Sequence, residues 1–130
     1  ISGSASFAEH EYDFNHTPNG IENGKTIDSS PEIISNTRLS YLPTLGGRIE
    51  IEWLKIDDYP IDERNTHFYK GHDIFNLRAK FPLTEKINFG FAINNLTDEN
   101  YANRADYAFG SYRYFVGHER EFHFTFETEF

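Results

Sequence analysis

Side chains able to hold a hard cation crowd one stretch of this sequence, at Asp57, Asp58, Asp62 and Glu63. Carboxylate oxygens are the ligands that calcium and magnesium prefer. The spacing is not that of an EF-hand, and no glycine supports a tight cage, so a solvated acidic loop is the expectation. His67 and His72, with Asp73 beside the second, invite a transition-metal reading, but their spacing belongs to no familiar ligand set. They read as polar loop residues. His10, His16, His118 and His123 are scattered, and His123 falls on a polar strand face, where it serves as a hydrogen-bonding filler. Glu50 and Glu52 share one strand face, an arrangement common on any wet surface. No nucleophile elbow, phosphate-cradling glycine loop or paired-carboxylate motif occurs. Asn15-His16-Thr17 and Asn95-Leu96-Thr97 match a glycosylation acceptor pattern that arises often by chance. The expectation is a protein that is not an enzyme, with no catalytic residue, no bound metal and no cofactor.

The bulk properties narrow the partners. The chain has 130 residues, a formal net charge of -9 and no cysteine. An acidic chain without a basic stripe is a poor match for phosphates, so nucleic acid is excluded as a partner. Without cysteine there is neither a disulfide framework nor a thiolate metal site. Aromatic residues make up 17% of the sequence, 13 of them Phe, a load that suits strands. Mean hydropathy is -0.65, and no apolar run approaches the roughly 20 residues of a transmembrane helix. Alternating strands hide an apolar face from any such average, so a membrane barrel stays open.

The elements that would position these residues are strands. Six segments alternate at period two: Ile1 to about Tyr12, Ile33 to Leu42, Arg48 to Ile56, Asp73 to Phe81, Ile87 to Asn94, and Glu121 to Phe130. The last is the most regular. Phe122, Phe124, Phe126, Thr128 and Phe130 oppose Glu121, His123, Thr125, Glu127 and Glu129. No segment holds a helical period, so the fold class is all-β, an antiparallel meander of about six strands.

Connection lengths add a second signal. Residues 43–47 and 82–86 read as short turns marked by Pro or Gly. Long polar connections fill about 13–32, 57–72 and 95–119. Alternation of long and short places every long loop at one end of the sheet and both tight turns at the other. Outer-membrane barrels share that asymmetry and face their apolar side to lipid. A Lys or Arg on the lipid face near the midplane would cost about 2–4 kcal/mol. Arg38, Arg48, Arg78 and Lys80 all lie on the opposite face. Lys55 is the exception, late in its strand toward the long-loop end. Trp53 shares the face of Ile49 and Ile51, toward lipid or a core.

The sequence at Asn95-Leu96-Thr97-Asp98-Glu99-Asn100-Tyr101 resembles the C-terminal region of TonB-dependent outer-membrane receptors, whose penultimate strand runs into Asn-Leu-x-Asp-x-x-Tyr. Asn95, Leu96, Asp98 and Tyr101 carry the match. Upstream, Asp62, Asn65, Tyr69 and Gly71 precede Asn76-Leu77-Arg78 in the family's order. Downstream, Gly117, Arg120 and Phe122 match a Gly-Arg-Pro-Arg-x-Phe stretch, from which His118 and Glu119 depart. Phe122, Phe124, Phe126 and a terminal Phe130 look like the strand that outer-membrane assembly machinery reads in this family.

The resemblance implies that residues 1–130 are the C-terminal segment of a transmembrane barrel of about 22 strands, of which these are the last six. The start at Ile1-Ser2-Gly3-Ser4 fits an excised piece. Such receptors sit in the bacterial outer membrane and import large scarce nutrients: ferric siderophores, haem, cobalamin or glycans. The implied partners are outer-membrane lipid, the nutrient, and the TonB complex through an N-terminal part these residues do not contain. Specificity in that family lies in the plug and many outer loops, so no substrate-binding residue is assigned. Trp53 and the Tyr residues could stack a sugar or an aromatic siderophore, although for Trp53 the face shared with Ile49 and Ile51 favours lipid or a core. Six strands leave two bare edges and a wide apolar face, so an isolated fragment is expected to self-associate. Two rival readings use the same alternation. One is a soluble barrel or sandwich that turns its aromatic face inward around a small ligand. The other is a different outer-membrane barrel, an autotransporter translocator or a porin.

Overall fold

Extended segments must give their backbone groups partners, and period-two segments joined by tight turns find them in their chain neighbours. The computed structural model describes residues 2–14 and 23–128. Ten strands are present among them: β1 Ser2–Phe7, β2 Ile33–Tyr41, β3 Arg48–Ile56, β4 Tyr59–Pro60, β5 Phe68–Tyr69, β6 His72–Thr84, β7 Ile87–Asn94, β8 Ala102–Ala108, β9 Ser111–Val116 and β10 Glu121–Thr128. Six of them form one antiparallel sheet in the order β1-β2-β3-β6-β7-β10. These are the six alternating segments, paired in chain order, as the sequence predicts.

The register separates two faces. Ile51 lies opposite Leu39 and Leu77, Leu77 opposite Ile93, and Ile93 opposite Phe122. Across the sheet the other set runs Arg38, Glu52 and Asn76. Phe89, Phe91, Phe124 and Phe126 thus share one face, and Asn88, Arg78, Glu50 and Glu52 the other. A slip of one residue in any strand would mix the two sets.

Several boundaries differ from expectation. β1 ends at Phe7, well short of Tyr12. β6 starts at His72 and runs through Pro82 to Thr84, so the stretch read as a turn over 82–86 is mostly strand. Only Glu85 and Lys86 turn the chain. Pro82 is tolerated because β3 stops pairing at Arg48↔Lys80, and a missing N–H costs no ladder bond on that side. The register with β7 shifts between Pro82 and Thr84, a bulge of the kind found at sheet margins. On the tight β2–β3 turn, Gly46 and Gly47 both have positive φ.

The long connections are more ordered than their polarity suggests. β4 and β5 pair within the second, and β8 and β9 form a hairpin within the third. The hairpin turns at Phe109-Gly110, both with positive φ, the geometry a two-residue turn needs to match strand twist.

Burial is inverted relative to an ordinary domain. The aromatic face carries no second layer, and Phe124 and Phe126 are 68% and 69% exposed. The hydrophobic cluster sits instead in the loop region, where Tyr59, Ile61 and Ala105 are buried against Ile56, Tyr69 and Tyr107. Among the described residues β1 pairs only with β2, and β10 only with β7, so the sheet is open at both edges.

Candidate functional site

On the polar face, charge converges on one residue. Glu52 is 3% exposed. Its carboxylate accepts hydrogen bonds from Asn36 and Arg38 on β2 and from Asn76 and Arg78 on β6. Arg38 and Arg78 also form ion pairs with it at 2.7 and 2.9 Å. A carboxylate this dry must be paired and hydrogen-bonded, and two cationic forks with two amides satisfy it. Glu50 is held by Ser40 and Arg48, and Lys80 pairs with Glu127 on β10. Polar pairs of this kind link neighbouring strands, reach across β7 in the case of Lys80 and Glu127, and leave no unsatisfied buried side-chain nitrogen or oxygen among the described residues.

The apolar face has a marked edge toward the long loops. Trp53 is 41% exposed, stacks at 6.1 Å on Phe75, and donates its indole N–H to Asp73 at 2.7 Å. Lys55, the charge that stood on the wrong face, lies in register with Asp73 and Ser35 just beyond it. An indole with an apolar body and a polar anchor is the side chain that membrane interfaces collect.

The residues of the Asn-Leu-x-Asp-x-x-Tyr stretch come together as a knot. Asn95 is 2% exposed and has φ 52°. Its side-chain nitrogen donates to the carbonyls of Glu99 and His118, and its side-chain oxygen accepts from the Glu99 N–H. Its own N–H donates to Asn76, and the Leu96 N–H donates to the Phe75 carbonyl. Asp98 accepts from the Arg120 N–H at 3.1 Å and pairs with the Arg120 guanidinium at 3.4 Å. The Arg120 guanidinium also lies 5.9 Å from the Phe122 ring. Tyr101 accepts the Gly117 N–H on its carbonyl, and its ring lies where a Cβ on Gly117 would sit. Asn95, Leu96, Asp98, Tyr101, Gly117 and Arg120 therefore bind the two stems of the third loop to each other and to β6. Phe124 and Phe126 lie apart, on the open apolar face, and Phe130 lies outside the described residues. The Asn95 side chain should matter more than its charge-free chemistry suggests. Asn95→Ala should destabilise the folded chain by about 2 kcal/mol, from the lost buried hydrogen bonds and the left-handed backbone. Denaturant unfolding in detergent reads this, and Asn95→Gly should recover only the backbone part.

Beyond the knot the loops build an aromatic cap. The Asp62 carboxylate accepts from the backbone N–H groups of Thr66 and His67 and from the Thr66 hydroxyl. Burial opposes its charge, but these donors prevail and hold it below the usual carboxylate range. Asp62 is thus spent on shaping its own loop, and among the described residues no three His, Cys, Asp or Glu side chains converge as a metal site. The turn presents His67, whose ring stacks on Tyr107 at 3.6 Å. Tyr69 accepts the Ala102 N–H and shares a hydrogen bond with His72, and Tyr59 accepts the Ala105 N–H. Burial pushes both hydroxyls above the ordinary tyrosine value, so they stay neutral. On the first loop, Tyr12 donates to Asp28; burial and that neighbour push its hydroxyl up to about 12.

A cleft of about 400 Å³ opens between this cap and the knot, with Tyr69, Tyr101, Tyr114, Glu99 and Glu119 among its walls. Sequence reasoning missed Glu52, Tyr114 and Glu99. Glu52 looked like any wet-face carboxylate, and its burial arises from neighbours on two other strands. The alternation of Tyr112 and Tyr114 either side of Arg113 was the available signal for the hairpin.

No protein-family model matches the sequence, and no curated protein matches it. Among solved structures the chain is similar to the crystal structure of the siderophore receptor PiuA from Acinetobacter baumannii, with a TM-score of 0.71 at 17% identity. The likeness covers 86% of this chain and 16% of that receptor, so these residues span about a sixth of its length. What is shared is the fold, an antiparallel all-β sheet of six main strands.

Proposed function

We propose that residues 1–130 are six consecutive wall strands, the C-terminal segment, of a TonB-dependent outer-membrane receptor that imports a large scarce nutrient. The single observation that carries the reading is the uncovered aromatic face. It is bounded by Trp53 and Asp73 at the loop end, and it is backed by a polar face on which Glu52 gathers Arg38 and Arg78. Lipid is the solvent such a face requires, and a water-filled lumen is the solvent its reverse requires. The fold likeness to a siderophore receptor points the same way. A soluble ligand-binding barrel would close its aromatics inward, whereas these lie open on the outside. In the proposed receptor, the three long loops face the exterior and the two tight turns the periplasm. Energy coupling through TonB belongs to other parts of such a receptor, and the transported nutrient belongs to the siderophore, haem, cobalamin or glycan class that this family serves.

These 130 residues contain no cysteine to compete with one placed by design, and any cysteine elsewhere in the full-length protein is first replaced by serine. Single cysteines at Phe91, Phe124 and Ile51 on one face, and at Ser40, Ala92 and Thr125 on the other, are introduced into the full-length protein in intact outer membranes. A water-soluble maleimide should label the second set at least about tenfold faster than the first, because lipid shields a thiol from it. Equal labelling of both faces overturns the membrane reading.

A further inference from the structure

We propose that His72 and Tyr69 form an acid-sensitive latch that fastens the stem of the third long loop to the wall. Three elements meet in one chain of hydrogen bonds. Ala102, the first residue of β8 and 3% exposed, donates its N–H to the Tyr69 hydroxyl oxygen at 3.0 Å. That hydroxyl, on β5, lies 2.9 Å from Nδ1 of His72, the first residue of β6. With its oxygen accepting from Ala102, the phenol gives its hydrogen to a bare Nδ1, which assigns the proton of the neutral ring to Nε2. The rings leave little freedom to rearrange. Tyr69 packs on Tyr59 and Tyr114 at 5.3 and 6.4 Å, and His72 lies 4.7 Å from Tyr101. A second proton on the imidazole would aim an N–H at a hydroxyl that is itself a donor. The phenolic oxygen would face two donors, and its own hydrogen would lose its acceptor in a half-buried place. The chain holds while His72 is neutral.

The surrounding charges do not reverse this. Asp73 follows His72 on β6, and its carboxylate already takes the Trp53 indole N–H. Lys55 and Asp57, from β3 and its end, share a polar cleft with His72, as do Lys70 before Gly71 and Glu99 on the third loop. His118 and Glu121 share a second cleft with it and lie 3.4 Å from each other. In register with Ile56, His72 stands beyond the Trp53–Asp73 edge and outside the lipid-facing span. Burial works against its positive charge more strongly than Asp73 and Glu99 work for it. The closed latch therefore holds the imidazole below the ordinary histidine value. Its contribution is present in full above that ordinary value and is lost as pH falls below it.

Every group in the latch lies in the loops or at a strand end beside them, so this inference and the membrane reading fail separately. Hydrogen–deuterium exchange of residues 99–107 is measured on the purified full-length protein in detergent. It is compared at about pH 8 and about pH 5, the range in which an imidazole takes up its proton. Each rate is divided by that of an unstructured chain at the same pH. Protection in the parent should fall about tenfold on acidification, while residues 48–54 of β3 stay as they were. His72→Asn offers an acceptor near the place of Nδ1 and takes up no proton, so its protection should stay high and within about twofold at the two pH values. Tyr69→Phe should be weakly protected at both. His118→Asn should respond to acid as the parent does. Equal protection of the parent at both pH values overturns the proposal, as does an equal acid loss in residues 48–54. A tenfold acid loss surviving in His72→Asn or in Tyr69→Phe also overturns it. Where His72→Asn is weakly protected throughout, a flat Tyr69→Phe supports the latch.

Discussion

The double substitution Arg38→Ala with Arg78→Ala should destabilise the sheet by about 3–5 kcal/mol, far more than the sum of its parts. The reason lies in how Glu52 is solvated. It is nearly dry, and the two guanidiniums reach it from opposite neighbouring strands while remaining half in water. Either arginine alone is a partly exposed partner, and losing it leaves the other fork and two amides in place. Each single variant should cost about 1 kcal/mol. With both gone, a buried carboxylate keeps only Asn36 and Asn76, and the charge is left without a counter-ion. Denaturant unfolding of the four members of the cycle in detergent measures the coupling. Adding Glu52→Gln to the double variant should return part of the loss, because a neutral amide tolerates burial without a cation. Additive effects of the two arginines would mean that Glu52 is hydrated in the folded protein.

Gly71→Ala should cost about 3 kcal/mol, a large effect for one methyl group. The residue joins β5 to β6 with φ 71°, where the chain leaves the loop and re-enters the wall. An added Cβ would collide with the Ile56 carbonyl oxygen and the backbone of Asp57. Those are main-chain atoms of the neighbouring strand end and cannot swing aside. The left-handed backbone costs about 1–2 kcal/mol, and the overlap adds a similar amount. Gly110 is the control, with φ 77° and open space around it. Gly110→Ala should show only the backbone part, about 1 kcal/mol. Thermal melts of the two variants side by side make the comparison, and equal losses would remove the steric argument.

What was legible in the sequence follows the reach of period two. Ile49, Ile51 and Trp53 against Arg48, Glu50 and Glu52 identify a strand and both its faces without help, and that strand lies where expected. The loop hairpins were not legible because their pairing is short and their alternation is broken. β4 and β5 offer two residues each, and β8 carries Ala, Asn, Arg and Asp where a strand usually shows branched or aromatic side chains. Pro82 misled in the other direction. A proline reads as a turn, and only the end of pairing to β3 makes it acceptable in β6. The knot was half legible. The resemblance flagged Asn95, Asp98, Tyr101, Gly117 and Arg120, but the reason these residues belong together is three-dimensional. Gly117 is open to Tyr101 from sixteen positions away, and no local rule connects them. The cleft was illegible for the same reason, since Tyr69 and Tyr114 meet only across two loops.

The clamp at Asn95 also changes the polymer physics of the third loop. An excursion of this length, free at its base, would be a fluctuating coil that surrenders entropy whenever something orders it. Here the base is stapled shut by Asn95 to His118 and by Asp98 to Arg120, and the tip is zipped by β8 and β9. The coil is divided into two small rings whose closure was met when the chain folded. What projects from the wall is a stiff post, and a guest arriving at its foot finds the ordering already done.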